Sequence, residues 1–179
     1  MEKISVLGVD PSLRKTGLAV IEYNNEKKEF MKPKNCMVVS NPLSFKGTDA
    51  ILNMLDMLEE ESESKEYVDI DNAIIESPGI MFNKAWAAGT ISLLAHISGG
   101  SAVIFGLERS FLFKPSEWNK SRKKDVTHNK TIALLGSPDT WHYKKRVKSE
   151  KDIEHILDAA SIALWWIINN YQEEKDDEC

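Results

Sequence analysis

The 179-residue chain has only two cysteines, Cys36 and Cys179, far apart in sequence. That spacing excludes a disulfide framework and a cysteine-based zinc motif, and it makes a reducing, cytoplasmic setting the expectation. No apolar run has the length of a membrane span: the richest late segment, ILDAASIALWWII, is short and carries Asp158, so it reads as a core helix. Met1 to Ser5 is too short and too polar to act as a signal peptide, so none is expected. No Pro/Gly/Ser-rich linker and no internal repeat breaks the chain. One domain over residues 1–172 is expected, with 173–179 (EEKDDEC) as a frayed acidic tail.

Positive charge is outnumbered overall, 23 Lys/Arg against 28 Asp/Glu for a formal net charge of -5, but it is not outnumbered everywhere. Arg109 to Lys151 holds twelve Lys/Arg against four Asp/Glu, whereas Asp152 to Cys179 holds eight acidic residues and one lysine. A basic segment in an acidic protein reads as a docking surface for a polyanion, or more plainly as a solvated basic loop.

Strand signals come first, at Ile4–Asp10, Gly17–Tyr23 and Cys36–Ser40, the first two joined by a turn short enough to make them antiparallel neighbours. Ile51, Leu52, Leu55 and Leu58 give residues 47–66 the stripe of an amphipathic helix. DIDNAIIES (69–77) reads as a buried strand, and 83–100 as an Ala/Leu-rich helix closed by Gly99-Gly100. SAVIFGL (101–107) reads as a further strand, NKTIALLG (129–136) as a short helix and 150–174 as a long one. This alternation predicts a layered α/β domain.

Three carboxylates do not fit a core. Asp10 ends ISVLGVD and is the only charge from Ile4 to Pro11; Glu76 ends NAIIE before Ser-Pro-Gly; Asp158 sits between Ile156-Leu157 and Ala159-Ala160. Singly, each has a plain reading, as a turn former, a lysine partner or a solvent-facing residue. If they converge, their repulsion requires a cation, and an oxygen-rich site suits magnesium or manganese. His155, three residues before Asp158, shares its helix face and can ligate a metal or move a proton. Glu154 is a competing ligand.

The stretches carrying these residues resemble a known family. VLGVDPSLRKTGLAV is similar to the opening of RuvC-type crossover-junction endodeoxyribonucleases, whose first strand ends Gly-hydrophobic-Asp-Pro and whose second starts Thr-Gly. AIIESPGIMFNKAWAAGTIS resembles their second motif, and HILDAASIAL their closing His/Asp-x-x-Asp before an Ala-rich helix. The resemblance runs from about Lys3 to Trp166. It implies a ribonuclease H-like fold, a mixed five-stranded sheet flanked by helices, with Asp10, Glu76, His155 and Asp158 as the metal-binding catalytic set. It also implies a homodimer that nicks opposed strands of a four-way DNA junction, needing no nucleotide cofactor and no membrane.

Two magnesium ions about 4 Å apart, with manganese able to substitute, would be bridged by Asp10 and held singly by Glu76 and Asp158. His155 would ligate or shuttle a proton. The expected products are a 3′-hydroxyl and a 5′-phosphate. Lys114, Lys120, Arg122, Lys123, Lys124 and Lys130, with Lys144, Lys145, Arg146 and Lys148, are the candidate phosphate contacts. Phe82, helped by Met81, is a candidate wedge at the crossover or a loop aromatic over the core. Trp118 and Trp141 either stack on bases or pack inside. The chain departs from the family in NKSRKKDVTHNKT, which is basic but lacks glycine, in the longer SPGIMF loop, and in the added SPDTWHYKKRVKSEK. Such changes suit a bacteriophage or otherwise divergent member. The competing readings are an actin-like or sugar-kinase-like ATPase, a catalytically inactive DNA-binding protein, and a same-fold nuclease for forks, flaps or RNA–DNA hybrids.

Overall fold

The computed structural model of the chain describes residues 3–78, 85–119, 123–145, 147 and 149–172. Strands β1 (Lys3–Asp10) and β2 (Lys15–Asn24) pair antiparallel, Asp10 opposite Gly17. Strand β4 (Lys34–Ser40) adds antiparallel to β2, and the two-residue β3 (Glu29–Phe30) caps the far end of β2. On the other side of β1, β5 (Asn72–Glu76) and then β6 (Ser110–Phe113) run parallel to it. The five longer strands therefore lie in the order β4-β2-β1-β5-β6, the mixed sheet expected.

Helices cover both faces. Helices α1 (Gly47–Ser62), α2 (Lys65–Val68) and α3 (Ala85–Ile104) follow the antiparallel strands, with β5 between α2 and α3. After β6 come the short α4 (Pro115–Trp118), α5 (Lys124–Leu135) and α6 (Glu150–Ile167), whose last residue leads into a π-helical turn at Ile168–Gln172. Because side chains alternate across a strand, each strand feeds two cores. Leu7, Val9, Leu18, Val20, Ala73 and Ile75 pack with α1 and α3. Ile4, Val6, Ala19, Ile21 and Ile74 pack with α6. The same alternation turns Asp10 and Glu76 to the α6 face, since each lies two positions beyond a residue of that face or its glycine (Gly8, Ile74).

Two expectations are corrected. The helix over 83–100 does not stop at Gly99-Gly100 but runs to Ile104, so 101–107 is not a strand; the strand lies later, at Ser110–Phe113. Gly100 serves contact instead of termination: a Cβ there would lie 2.5 Å from Leu55 Cδ2 on α1. The chain breaks at Gly106, whose φ of 96° is open to glycine and strained for other residues. The short helix at 129–136 is longer than expected, starting at Lys124, and this moves part of the basic segment onto a rigid element.

The added segment before α6 has a structural use. Cys36 N–H donates to His142 O at 3.0 Å and Lys144 N–H to Cys36 O at 3.0 Å, so the segment covers the open edge of β4. Trp141 is buried, its indole N–H donating to Gly136 O at 3.0 Å, and Trp118 is buried as well. Packing, the plainer of the two readings of these tryptophans, is the one observed. Among the described residues no helix is long and apolar enough to cross a membrane.

Candidate active site

Two glycines decide how close α6 comes to the sheet. A Cβ on Gly8 would lie 1.8 Å from Ala159 O, and one on Gly17 would lie 2.1 Å from His155 O. The α6 backbone thus rests directly on β1 and β2, with Ala159, Ala160 and Ala163 as its small contact residues. Gly17 is the register partner of Asp10, so the residue above Gly17 is brought to Asp10. His155 Nδ1 lies 2.7 Å from Asp10 Oδ2. Glu154, the alternative ligand, is exposed on another face of the helix.

Glu76 ends β5 on the same face, and its backbone carbonyl accepts from Ser98 Oγ at 2.9 Å. One helical turn beyond His155, Asp158 is buried and held by α5 through both oxygens: Lys124 Nζ is 2.5 Å from Oδ2, and His128 Nε2 is 2.9 Å from Oδ1. Asp10, Glu76 and Asp158 are close enough for the charge of each to act on the others. The four expected residues are therefore gathered at one end of the sheet.

The sequence pattern does not mark out His128, and it points to Lys124 only as a phosphate contact. The usable signal was their separation: four residues apart, they share one face of a helix once α5 is known to begin at Lys124. Trp118 closes the site from α4. Its buried indole N–H faces Glu76, whose charge it favours weakly, without reaching full hydrogen-bond geometry to an acceptor among the described residues.

Burial, reinforced by the charges of Asp10 and Asp158, pushes the Glu76 carboxyl up to about 8. Asp10 is raised by burial, with the Asp158 charge adding to it and the His155 hydrogen bond opposing it. His155 is raised, first by its hydrogen bond to Asp10. Asp158 goes the other way: burial would raise it, but the hydrogen bonds from His128 and Lys124 prevail and lower it.

These shifts have a consequence for stability. Between 4.5 and about 8 the folded protein holds the Glu76 proton more tightly than the unfolded chain does, so stability falls as pH rises through that window. The contribution of His155 is complete below 6.5 and is also lost as pH rises through its elevated value. Asp158 opposes this only near and below 3.8, outside the window. The denaturation midpoint of chelator-treated protein is expected to drop between about pH 5 and 8, and Glu76→Gln to flatten the drop. A midpoint independent of pH in both proteins would remove Glu76 from the buried cluster.

The donor set, three carboxylates and an imidazole with too little positive charge among them, has the chemistry of a magnesium or manganese site. Among the described residues no three His, Cys, Asp or Glu side chains are set at metal-ligand spacing, and the cation now held by Asp158 is Lys124. The cluster fits a metal by donor type once Asp158 is released.

The other basic candidates are dispersed. Lys114, Lys123 and Lys130 are exposed, Lys130 beside an apolar groove of about 420 Å³ between α5 and α6. Lys144 pairs with Glu61 at 2.8 Å and lies 5.1 Å from the centre of the Tyr67 ring; Lys145 pairs with Glu61 as well. Both are thereby tied to α1. Lys120, Arg122, Arg146, Lys148, Met81 and Phe82 lie outside the described residues, as does residue range 173–179.

The strand order and the helix across β1 and β2 define a ribonuclease H-like fold. Solved structures of a bacterial RuvC and of a poxvirus Holliday junction resolvase are similar to it. Thermus thermophilus RuvC has a TM-score of 0.62 and 16% identity over 90% of this chain and 92% of its own. The same protein in complex with a Holliday junction substrate has a TM-score of 0.60 and 15% identity over the same shares. The fowlpox virus resolvase with Holliday junction DNA has a TM-score of 0.53 and 13% identity, over 93% of this chain and 98% of its own. No protein-family model matches the chain, and no curated protein matches it in sequence.

Proposed function

We propose that the chain is a divalent-metal-dependent, structure-specific DNA endonuclease that resolves four-way junctions by paired nicks, acting as a homodimer. The observation that carries this reading is the convergence of Asp10, Glu76 and Asp158 on a resolvase-like sheet, with carboxyls that repel one another. Asp10, Glu76 and Asp158 would hold the cations, which when bound supply a nucleophilic water at neutral pH and relief of charge on the phosphate.

The chain's own residues do the rest. Asp10 fixes the His155 ring through Nδ1, leaving Nε2 to exchange a proton with the attacking water or the leaving oxygen. Trp118 and the flanking cores keep bulk water from the carboxylates, so charge interactions there are stronger than at the surface. The products would be a 3′-hydroxyl and a 5′-phosphate.

The test is cleavage of a synthetic four-way junction with magnesium, beside linear duplex, flap and RNA–DNA hybrid controls. Preferential paired nicking of the junction supports the reading; equal cleavage of a flap or hybrid redirects it to another branched substrate. Lys114, Lys120, Arg122, Lys123 and Lys130 are the proposed phosphate contacts, and Phe82 the proposed wedge. Changing Lys120, Arg122 and Lys123 together to alanine is expected to weaken junction binding and flatten its salt dependence by about 0.9 in slope per lost phosphate contact. Filter binding across a salt series reads both, and an unchanged slope removes this segment from the interface.

A further inference from the structure

Both carboxylate oxygens of Asp158 are engaged by α5. Lys124 Nζ takes Oδ2 and His128 Nε2 takes Oδ1, both from one face of α5. That face is fixed to α6 by the buried contact between Thr131 Oγ1 and Ser161 Oγ at 2.7 Å. The two arms differ in freedom: the His128 side chain is 13% exposed, the Lys124 side chain 64%. The Lys124 stem packs little, so its ammonium can swing into solvent at small cost in packing. Besides Asp158, that ammonium lies within the field of Asp10 and Glu76. A cation therefore already stands where the carboxylates meet.

We infer that Lys124 is a built-in competitor for the divalent cation: its ammonium neutralises the cluster in the metal-free protein and must leave Asp158 Oδ2 before a metal can take it. The inference rests on reading the carboxylates as a cation site. The physical ground is exclusion and repulsion together. An ammonium at 2.5 Å from Oδ2 blocks the position a metal ion would need, and two positive charges so close repel each other strongly. His128, less exposed and on the other oxygen, is a positioning residue that keeps the carboxylate aimed while Lys124 moves. The arrangement holds the cluster together without metal, at the expense of metal affinity.

Chelator-treated protein titrated with manganese alone, followed by calorimetry, tests this. Lys124→Met keeps the stem and removes the charge; it is expected to bind manganese about tenfold tighter than the parent and to melt at a lower temperature without metal. Equal or weaker binding by folded Lys124→Met would overturn the competition while leaving the cation site standing. If neither protein binds manganese, the cation site itself is wrong and the inference falls with it. Should Lys124→Met not fold, a manganese-soaked crystal of the parent decides: an ion at Asp158 with Lys124 swung away supports the exchange, and an ion bound with the Lys124–Asp158 pair intact refutes it.

Discussion

Replacing Asp10 by asparagine is expected to abolish magnesium-dependent nicking of a four-way junction while the protein still folds and binds the junction. The carboxylate stands at the end of β1, facing α6, beside His155 and within the field of Glu76 and Asp158. Asparagine keeps the shape and an oxygen for His155 but removes the negative charge that a metal requires. The expected loss of rate is on the order of a thousandfold or more, about 4 kcal/mol of transition-state stabilisation. Stability should move the other way. Asp10 is raised by burial and by the Asp158 charge, so its ionised form strains the metal-free fold, and a neutral replacement relieves that strain. The melting temperature of chelator-treated Asp10→Asn is therefore expected to equal or exceed that of the parent. Gel assays of nicking and of binding in calcium, together with a thermal melt, separate the outcomes. Cleavage at the parental rate would take Asp10 out of the site, and a proportional loss of binding would make it a DNA contact instead.

The opposite movements of activity and stability trace to features that differ in how readily a sequence displays them. A lone charge closing an apolar strand is visible because strand periodicity is short and the exception stands out; Asp10 and Glu76 are of this kind, and the fold turns both toward α6. The His155–Asp158 spacing is visible for the same reason on a helix. Lys124 and His128 were hidden by their neighbours: NKSRKKDVTHNKT has no apolar periodicity before Ile132, so the first half of α5 looks like a basic loop. Its helical order comes from tertiary contacts such as Thr131 with Ser161 and Lys124 with Asp158, which no local pattern encodes. The glycine pair at 99–100 misled in the other direction, because a helix glycine that admits Leu55 looks the same in sequence as one that ends the helix. Edge protection of β4 by the added segment is a non-local backbone pairing, and side-chain patterns carry little trace of it.

Gly8→Ala and Gly17→Ala are expected to be among the most damaging single methyl additions in the chain. Each new Cβ would meet a backbone carbonyl of α6, Ala159 O at 1.8 Å and His155 O at 2.1 Å, and neither can turn aside as a flexible side chain would. The helix must rise off the sheet, opening the packing of Ile156, Ala160 and Ala163 against β1 and β2. A cost of about 3 kcal/mol or more is expected for each, a lowering of the melting temperature by roughly 10 °C. The two should differ in what they do to the site. Gly8 sits under Ala159, a helical turn past His155, whereas Gly17 faces Asp10 in the strand register and supports His155, the residue that touches Asp10, directly. Assayed well below its melting temperature, Gly17→Ala should therefore lose more nicking activity than Gly8→Ala at equal stability. Gly99→Ala is the control: a Cβ there meets nothing within 4 Å and the residue is helical, so stability should rise by up to about 1 kcal/mol. Denaturant unfolding of the three variants measures these costs on one scale. Parental stability in Gly17→Ala would mean that α6 does not rest on β2 as described, and the placement of His155 over Asp10 would fail with it.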